Sequence, residues 1–193
     1  MSGFFALLSR MKYISRWALM RNAREETLSE HSLEAAMLAH ALVTLHNTRF
    51  GGALSPERAA TLALFHDVPE VLTGDLPTPV KYHDEGLRAA YGRAEESACA
   101  SLLRRLPEDL RGAYSPLLCP KQETDLALLP YVKAADKLSA LVKCIEERKA
   151  GNREFARAES SVREILVQMR MPAVDCFLEE FLPVYEEPLD GVL

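Results

Sequence analysis

Four side chains stand out for the metal chemistry their types would support: His31, the adjacent pair His66 and Asp67, and Asp136. Each interrupts a stretch of apolar residues at helical spacing. Asp136 sits in VKAADKLSALVK, where its neighbours three and four positions away are Val132, Lys133, Ser139 and Ala140. An ionised carboxylate on so small and apolar a face is costly unless a cation pairs with it. Two imidazoles and two carboxylates form a borderline-hard donor set. It suits Mn2+, Co2+, Fe2+, Zn2+ or Ni2+ better than Ca2+, which prefers oxygen ligands throughout. No thiolate belongs to the set, so zinc loses its strongest claim. Adjacent side chains on a helix point about 100° apart. His66 and Asp67 can therefore share an ion only near a helix end, and the breakers in VPEVLTGDLPTP supply one. Taken singly, each residue has an ordinary explanation, a core histidine or a carboxylate bonded to a helix end. Together they favour a metal.

The elements that must position these residues are helical. SEHSLEAAMLAHALVTLHN (29–47) repeats apolar residues at three and four, through Leu33, Ala36, Met37, Ala41 and Leu45, and places His31 in its first turn. Thr27 and Glu30 form a capping box before it. Ser55-Pro56-Glu57 starts a second helix that His66 and Asp67 close, over 56–68. Residues 84–105 make a third, and Pro107 opens a short fourth. TDLALLPYVKAADKLSALVKCIEERKAGN (124–152) reads as one long helix bent near Pro130, with Gly151 as its stop. Helical spacing continues in NREFARAESSVREILVQM and AVDCFLEEFLPVY. No run of alternating β-branched residues, internal repeat or low-complexity linker occurs. The expectation is an all-α single domain over 1–193.

Composition narrows the function classes. The 193 residues are 48% hydrophobic and 26% charged, ordinary for a globular chain. No apolar run approaches the roughly 18 residues of a membrane span, and Phe4–Leu8 is too short for a secretory core, so a cytoplasmic protein is expected. Four dispersed cysteines with no C-x-x-C argue for reduced thiols. A net charge of −5 disfavours binding to a nucleic-acid polymer. Residues 1–24 nevertheless carry a local charge of +5, from Arg10, Lys12, Arg16, Arg21 and Arg24, which leaves −10 on the remainder. That segment reads either as a solvated amphipathic helix or as a place that attracts a small anion.

The order His31, His66-Asp67, Asp136 resembles that of the HD-domain metal-dependent phosphohydrolases. RWALMRN (16–22), SEHSLEAAMLAH (29–40), HDVPEVLTGDLPTPVKY (66–82) and KAADKLSALVKCIEE (133–147) are similar to the bacterial 5'-deoxynucleotidases of that superfamily. The resemblance covers nearly the whole chain. It implies an HD-domain helical bundle, a homodimer, that removes phosphate from deoxyribonucleoside 5'-monophosphates with Co2+ or Mn2+. Cu2+, Fe2+, Ni2+ and Zn2+ remain compatible. By position it implies His31, His66, Asp67 and Asp136 as metal ligands, with His31, Asp67 and Asp136 also touching substrate. Glu70 matches the catalytic carboxylate, Arg16 and Trp17 the substrate-contacting pair, and Asp75, Leu76, Pro77 and Thr78 the substrate loop. Arg16 and Asp75 are also expected to act in catalysis.

Physical roles fit those positions. A divalent ion lowers the pKa of bound water and offsets phosphate charge. Glu70 follows Asp67 by three residues and His66 by four, one turn away, so it can orient or deprotonate the attacking water, which strikes phosphorus directly. Arg16 can hold phosphate through its planar fork, or form a surface ion pair. Trp17 can pack on the sugar or base and crowd a 2'-hydroxyl, or anchor the core. Asp75 can accept the 3'-hydroxyl, protonate the departing 5'-oxygen, or cap a turn. Lys81 either assists the phosphate or is exposed. His40, His46 and His83 read as bystanders, and Glu95-Glu96, Glu146-Glu147 and Glu179-Glu180 as solvated faces. Phe177 and Phe181 are a candidate dimer surface. The rival readings are hydrolysis of a cyclic nucleotide, a nucleoside triphosphate or a guanosine alarmone, and a non-catalytic helical binding module.

Overall fold

The computed structural model describes residues 2–81 and 83–192. Its helices are α1 (Phe4–Leu8), α2 (Leu28–Phe50), α3 (Pro56–Phe65), α4 (Glu70–Thr73), α5 (Thr78–Lys81), α6 (Glu85–Arg104), α7 (Glu108–Leu118), α8 (Glu123–Leu126), α9 (Leu129–Lys149), α10 (Ala156–Gln168), α11 (Pro172–Glu180) and α12 (Leu189–Val192). Short 3-10 turns occupy Ser9–Tyr13, Arg153–Phe155 and Leu182–Glu186. Among the described residues there is no strand, only an isolated antiparallel bridge between Ser15 and Thr27. No helix among them is long and apolar enough to cross a membrane.

Local chemistry accounts for the principal boundaries. The Thr27–Glu30 capping box forms in full, and Gly51, at φ +73°, closes α2 in a left-handed conformation that side chains resist. Ser55 accepts a hydrogen bond from the Arg58 amide, with Pro56 opening α3. Gly151, at φ +82°, follows the end of α9. The single long helix expected over 124–152 is two. Pro130 cannot sit inside a helix, because its ring would meet the carbonyl of Leu126; α8 therefore stops at Leu126 and Pro130 lies in the first turn of α9.

α2, α3 and α9 pack together, and α10 and α11 close over them. Their core includes Leu42, Leu62, Leu138, Leu141, Ile145 and Leu166. A second apolar cluster joins Phe4, Leu28, Val68, Leu102, Leu106 and Leu118. The buried face of α2 differs from the expected stripe: Leu33 and Met37 are 57% and 59% exposed, whereas Leu38, Leu42 and Val43 are buried. Both sets repeat at three and four, and the central position of α2, with α3 and α9 packed on it, selects the second. The basic N-terminal segment is not one amphipathic helix. It is helical only from Phe4 to Tyr13 and then runs as a loop to the Ser15–Thr27 bridge.

The four polar residues lie at the seam between the two apolar clusters. On α2, His31 falls between Leu28 of one cluster and Ala36 of the other. On the next segment, His66 and Asp67 fall between Ala63 and Val68.

Candidate active site

α3 ends at Phe65, three residues before the expected boundary, because Pro69 offers no N–H and its ring would strike the Phe65 carbonyl. The chain tightens instead. Val68 donates to the Phe65 carbonyl at 3.2 Å, Glu70 to Asp67 at 2.9 Å and Leu72 to Pro69 at 3.1 Å. At three residues per turn, side chains three apart eclipse. Glu70 is thereby brought over Asp67 rather than being splayed around an α-helical turn.

His31, His66 and Asp67 each present a ligand atom within 4.8 Å of the other two. Asp136, from α9, lies against the two histidines of this group: its Oδ1 is 3.2 Å from His31 Nε2 and 4.0 Å from His66 Nε2. Asp67 Oδ2 is 3.5 Å from His31 Nε2 and 3.1 Å from His66 Nε2. The opposite ring nitrogens are committed elsewhere. His66 Nδ1 is 2.6 Å from the Ala63 carbonyl and so carries a proton toward it. His31 Nδ1 is 2.9 Å from Ser139 Oγ, whose own proton goes to Glu34 Oε2 at 2.6 Å. The hydroxyl is therefore free only to accept, and His31 donates through Nδ1. Both Nε2 atoms are buried without a hydrogen-bond partner, as is Glu70 Oε2. Imidazole lone pairs aimed at carboxylate oxygens repel one another unless a cation stands between them. This donor set fits a divalent metal ion.

Electrostatics agree. Burial lowers the His31 pKa, keeping a ligand imidazole neutral. Burial also opposes charge on His66, but Asp67 and Asp136 outweigh it and raise that pKa to about 9. Burial acts against the charge on Asp136, yet His31, Lys137 and His66 hold its pKa well below the usual range. His66 likewise overcomes burial at Asp67. Glu70 goes the other way: burial, then Asp67 and Asp75, push it up to about 9. A buried carboxyl with a raised pKa beside a metal-type cluster is suited to exchanging protons.

Arg16 and Trp17 come from the loop after the Ser9–Tyr13 turn. Arg16 is 10% exposed and points its Nη1 to within 3.6 Å of Asp67 Oδ2, so it is no surface ion pair. Glu26 Oε2 accepts from Arg16 Nε and from Trp17 Nε1, both at 3.0 Å. The Trp17 ring rests on Phe155, centroids 5.2 Å apart. Burial raises the Asp75 pKa, and the nearby Arg16 guanidinium and Trp17 backbone N–H act against it. Leu76 and Pro77 are half-buried in the same loop, while the side chain of Thr78 lies outside the described residues. A cavity of about 350 Å³ opens along His66, Asp67 and Glu70, with Glu95, Cys99 and Cys119 on its far wall.

Several bystanders also fall into place. His40 and His83 are exposed, and His46 packs on Tyr131. Lys81 is neither exposed nor free, since it pairs with Glu95 at 2.8 Å, so Glu95 is not merely solvated. Phe177 is buried, which removes it from any surface, while Phe181 stays 40% exposed. Glu147, expected on a solvated face, is 1% exposed. It pairs with Lys143 and accepts from the Ala23 and Arg24 amides at 2.7 and 3.2 Å. Lys143 also donates to the Arg24 carbonyl. The pair clamps the loop carrying Arg16 and Trp17 onto α9. Sequence reasoning overlooked Glu26, Glu34 and Lys143, placed Glu147 on a solvated face, and counted Ser139 only as a small neighbour. One signal was available. Glu34 and Ser139 stand three residues after His31 and Asp136, one turn along the same helix faces.

Comparison with known proteins gives a consistent picture. The family model described as 5'-deoxynucleotidase YfbR-like matches residues 3–185. The 5'-deoxynucleotidase of Erwinia tasmaniensis is 49% identical over 191 residues, 99% of this chain and 96% of that protein. The 5'-deoxynucleotidase YfbR of Shigella dysenteriae serotype 1 is 46% identical over the same shares. Among solved structures, the HD-domain phosphohydrolase lin2634 of Listeria innocua superposes with a TM-score of 0.81 at 26% identity, covering 98% of this chain and 90% of that one. The cyanophage S-2L HD phosphohydrolase DatZ, solved with dA and one catalytic Zn2+, shares the fold at a TM-score of 0.64 and 15% identity, covering 95% and 96%.

Proposed function

Since the chain belongs to the YfbR-like family of 5'-deoxynucleotidases, with an HD-domain all-α fold, we propose that His31, His66, Asp67 and Asp136 hold one divalent metal ion beside a bound deoxyribonucleoside 5'-monophosphate. The protein hydrolyses that ester to deoxynucleoside and phosphate. The observation that carries the site assignment is the pair of buried, unpartnered Nε2 atoms facing two carboxylates. When bound, a metal supplies a Lewis acid that offsets phosphate charge and lowers the pKa of water.

The chain's own residues do the rest. Glu70, eclipsed over Asp67, orients the attacking water and exchanges protons with it. Arg16, its Nε held by Glu26, presents its terminal nitrogens to the phosphate oxygens. Trp17 forms the wall against the sugar and crowds a 2'-hydroxyl. Asp75, near the Trp17 amide, accepts from the sugar on the same side. Leu76, Pro77 and Thr78 shape the loop beneath the nucleotide. Two imidazoles with two carboxylates and no thiolate fit Mn2+, Co2+, Fe2+, Ni2+, Cu2+ or Zn2+, and the family resemblance singles out Co2+ or Mn2+ among them. The four free cysteines accord with a cytoplasmic location. Exposed Leu33 and Met37, one turn apart on α2, support a homodimer.

The test is a substrate panel. Protein dialysed against chelator and then supplied with Co2+ or Mn2+ is given dAMP, AMP, a cyclic nucleotide, dGTP and a guanosine alarmone. Phosphate release from dAMP should exceed that from every other member. Equal rates with AMP, or turnover of the triphosphate or alarmone alone, would overturn the reading.

A further inference from the structure

Glu26 has no place among the residues that touch metal or substrate, yet two of them converge on it. Its Oε2 alone accepts from Arg16 Nε and from Trp17 Nε1, each at 3.0 Å, and the Glu26 and Arg16 side chains are 12% and 10% exposed. Backbone contacts reinforce the grip, with the Arg16 amide donating to the Glu26 carbonyl at 2.9 Å beside the Ser15–Thr27 bridge. Among the charged neighbours that favour the Arg16 guanidinium, Glu26 is the foremost.

Trp17 needs such a holder. Its φ of +59° lies in the left-handed region, which a bulky side chain occupies only when its surroundings enforce it. Its carbonyl accepts from the Met20 amide at 2.9 Å and from Asn22 Nδ2 at 3.4 Å. The indole packs against Phe155 with the two rings tilted by 57°. Among the described residues, the hydrogen bond to Glu26 is what holds the Nε1 edge of the indole. A carboxylate oxygen suits both donors at once, since it has lone pairs for two and a charge for the guanidinium.

We propose that Glu26 is a positioning residue for sugar selectivity: one oxygen fixes both the guanidinium that meets phosphate and the indole that meets the sugar, and so sets the spacing between the two subsites. The proposal rests on the roles of Arg16 and Trp17 given above. A nucleotide clamped by its phosphate then brings C2' to a fixed place against the indole, and an added hydroxyl meets the ring. With the indole released, the ring yields and the ribonucleotide enters.

The experiment compares wild type with Glu26→Gln, Glu26→Ala and Trp17→Ala. It measures kcat and KM for dAMP and AMP, inhibition by inorganic phosphate, and the emission of Trp17, the sole tryptophan. Glu26→Gln keeps the shape and an acceptor without the charge, so it preserves the fold and gives an intermediate effect. In Glu26→Ala the dAMP-to-AMP ratio of kcat/KM falls about 10-fold and the inhibition constant for phosphate rises about 10-fold, the loss of one charge-assisted hydrogen bond. The change in dAMP hydrolysis lies mainly in KM, and Trp17 emission shifts to the red. A merely structural residue would lower both substrates together and leave their ratio alone. Folded Glu26 variants with an unchanged ratio, while Trp17→Ala lowers it, overturn the proposal alone. A ratio unchanged in Trp17→Ala overturns it together with the reading of Trp17 as the sugar wall.

Discussion

At the scale of single residues, the chemistry turns on which atoms are left without partners. His31 and His66 each commit Nδ1 to a neighbour and leave Nε2 bare. Ser139 is the hinge of this arrangement, because its hydroxyl must accept from His31 while it donates to Glu34. Ser139→Ala frees the His31 ring to turn or to change tautomer. Metal affinity should then drop about 10- to 100-fold, as for other partners that orient ligand histidines; equilibrium dialysis against Mn2+ or Co2+ measures it. Glu70 is a different case, since the role proposed for it is proton handling and not metal ligation. Glu70→Gln should cost about 100- to 10,000-fold in kcat, with metal content unchanged by elemental analysis. Loss of the metal along with the rate would reassign Glu70 as a ligand.

At the scale of elements, two devices position the site, and both have electrostatic or steric causes. Pro69 ends α3 early and tightens the chain, which stacks Glu70 on Asp67. The Lys143–Glu147 pair clamps the 14–27 loop to α9. Burial pushes the Glu147 pKa up, but Lys143, the Ala23 and Arg24 amides and Asn152 outweigh it and lower the value from 4.5 to about 2. A depressed carboxylate pKa stabilises the fold above the unfolded value and ceases to do so as pH falls through the folded one. The clamp's contribution is therefore complete above about pH 4.5 and fades toward pH 2. Removing one partner of a buried pair costs about 3–5 kcal/mol. Denaturant unfolding should show Glu147→Ala destabilised by that order at pH 6, and the gap to wild type should narrow as pH falls toward 2.5. A gap independent of pH would contradict the clamp.

These elements were unequally legible in the sequence. Thr27–Glu30, Ser55-Pro56 and Gly151 mark helix ends by local hydrogen bonding and backbone freedom, so short windows reveal them. The buried face of α2 was not legible. Leu33–Met37 and Leu38–Leu42 have the same spacing, and only the partners packed on the helix decide between them. Glu26, Lys143 and Glu147 were hidden for a related reason: the contacts that bury Lys143 and Glu147 span well over a hundred residues of chain, and Glu26 lies in a polar stretch. His31, His66, Asp67 and Asp136 were visible because charged or titratable groups on apolar faces are costly without a partner, and their order added a resemblance.

At the scale of the whole molecule, the two apolar clusters meet along a seam, and the polar group sits there because neither core can absorb it. α2 supplies His31, the turn after α3 supplies His66 and Asp67, and α9 supplies Asp136, so three segments distant in sequence converge on one place. Hydrolysis should require one divalent ion at this convergence. The direct measurement is a titration in which chelator-treated protein receives Co2+ or Mn2+ stepwise, with bound metal and phosphate release from dAMP recorded on the same samples. Activity should rise in proportion to bound metal and level off at about one ion per chain, and Asp136→Ala should neither retain the ion nor recover the rate. Full hydrolysis of dAMP by wild-type protein with no bound metal, or an Asp136→Ala variant that binds and turns over like wild type, would contradict the account.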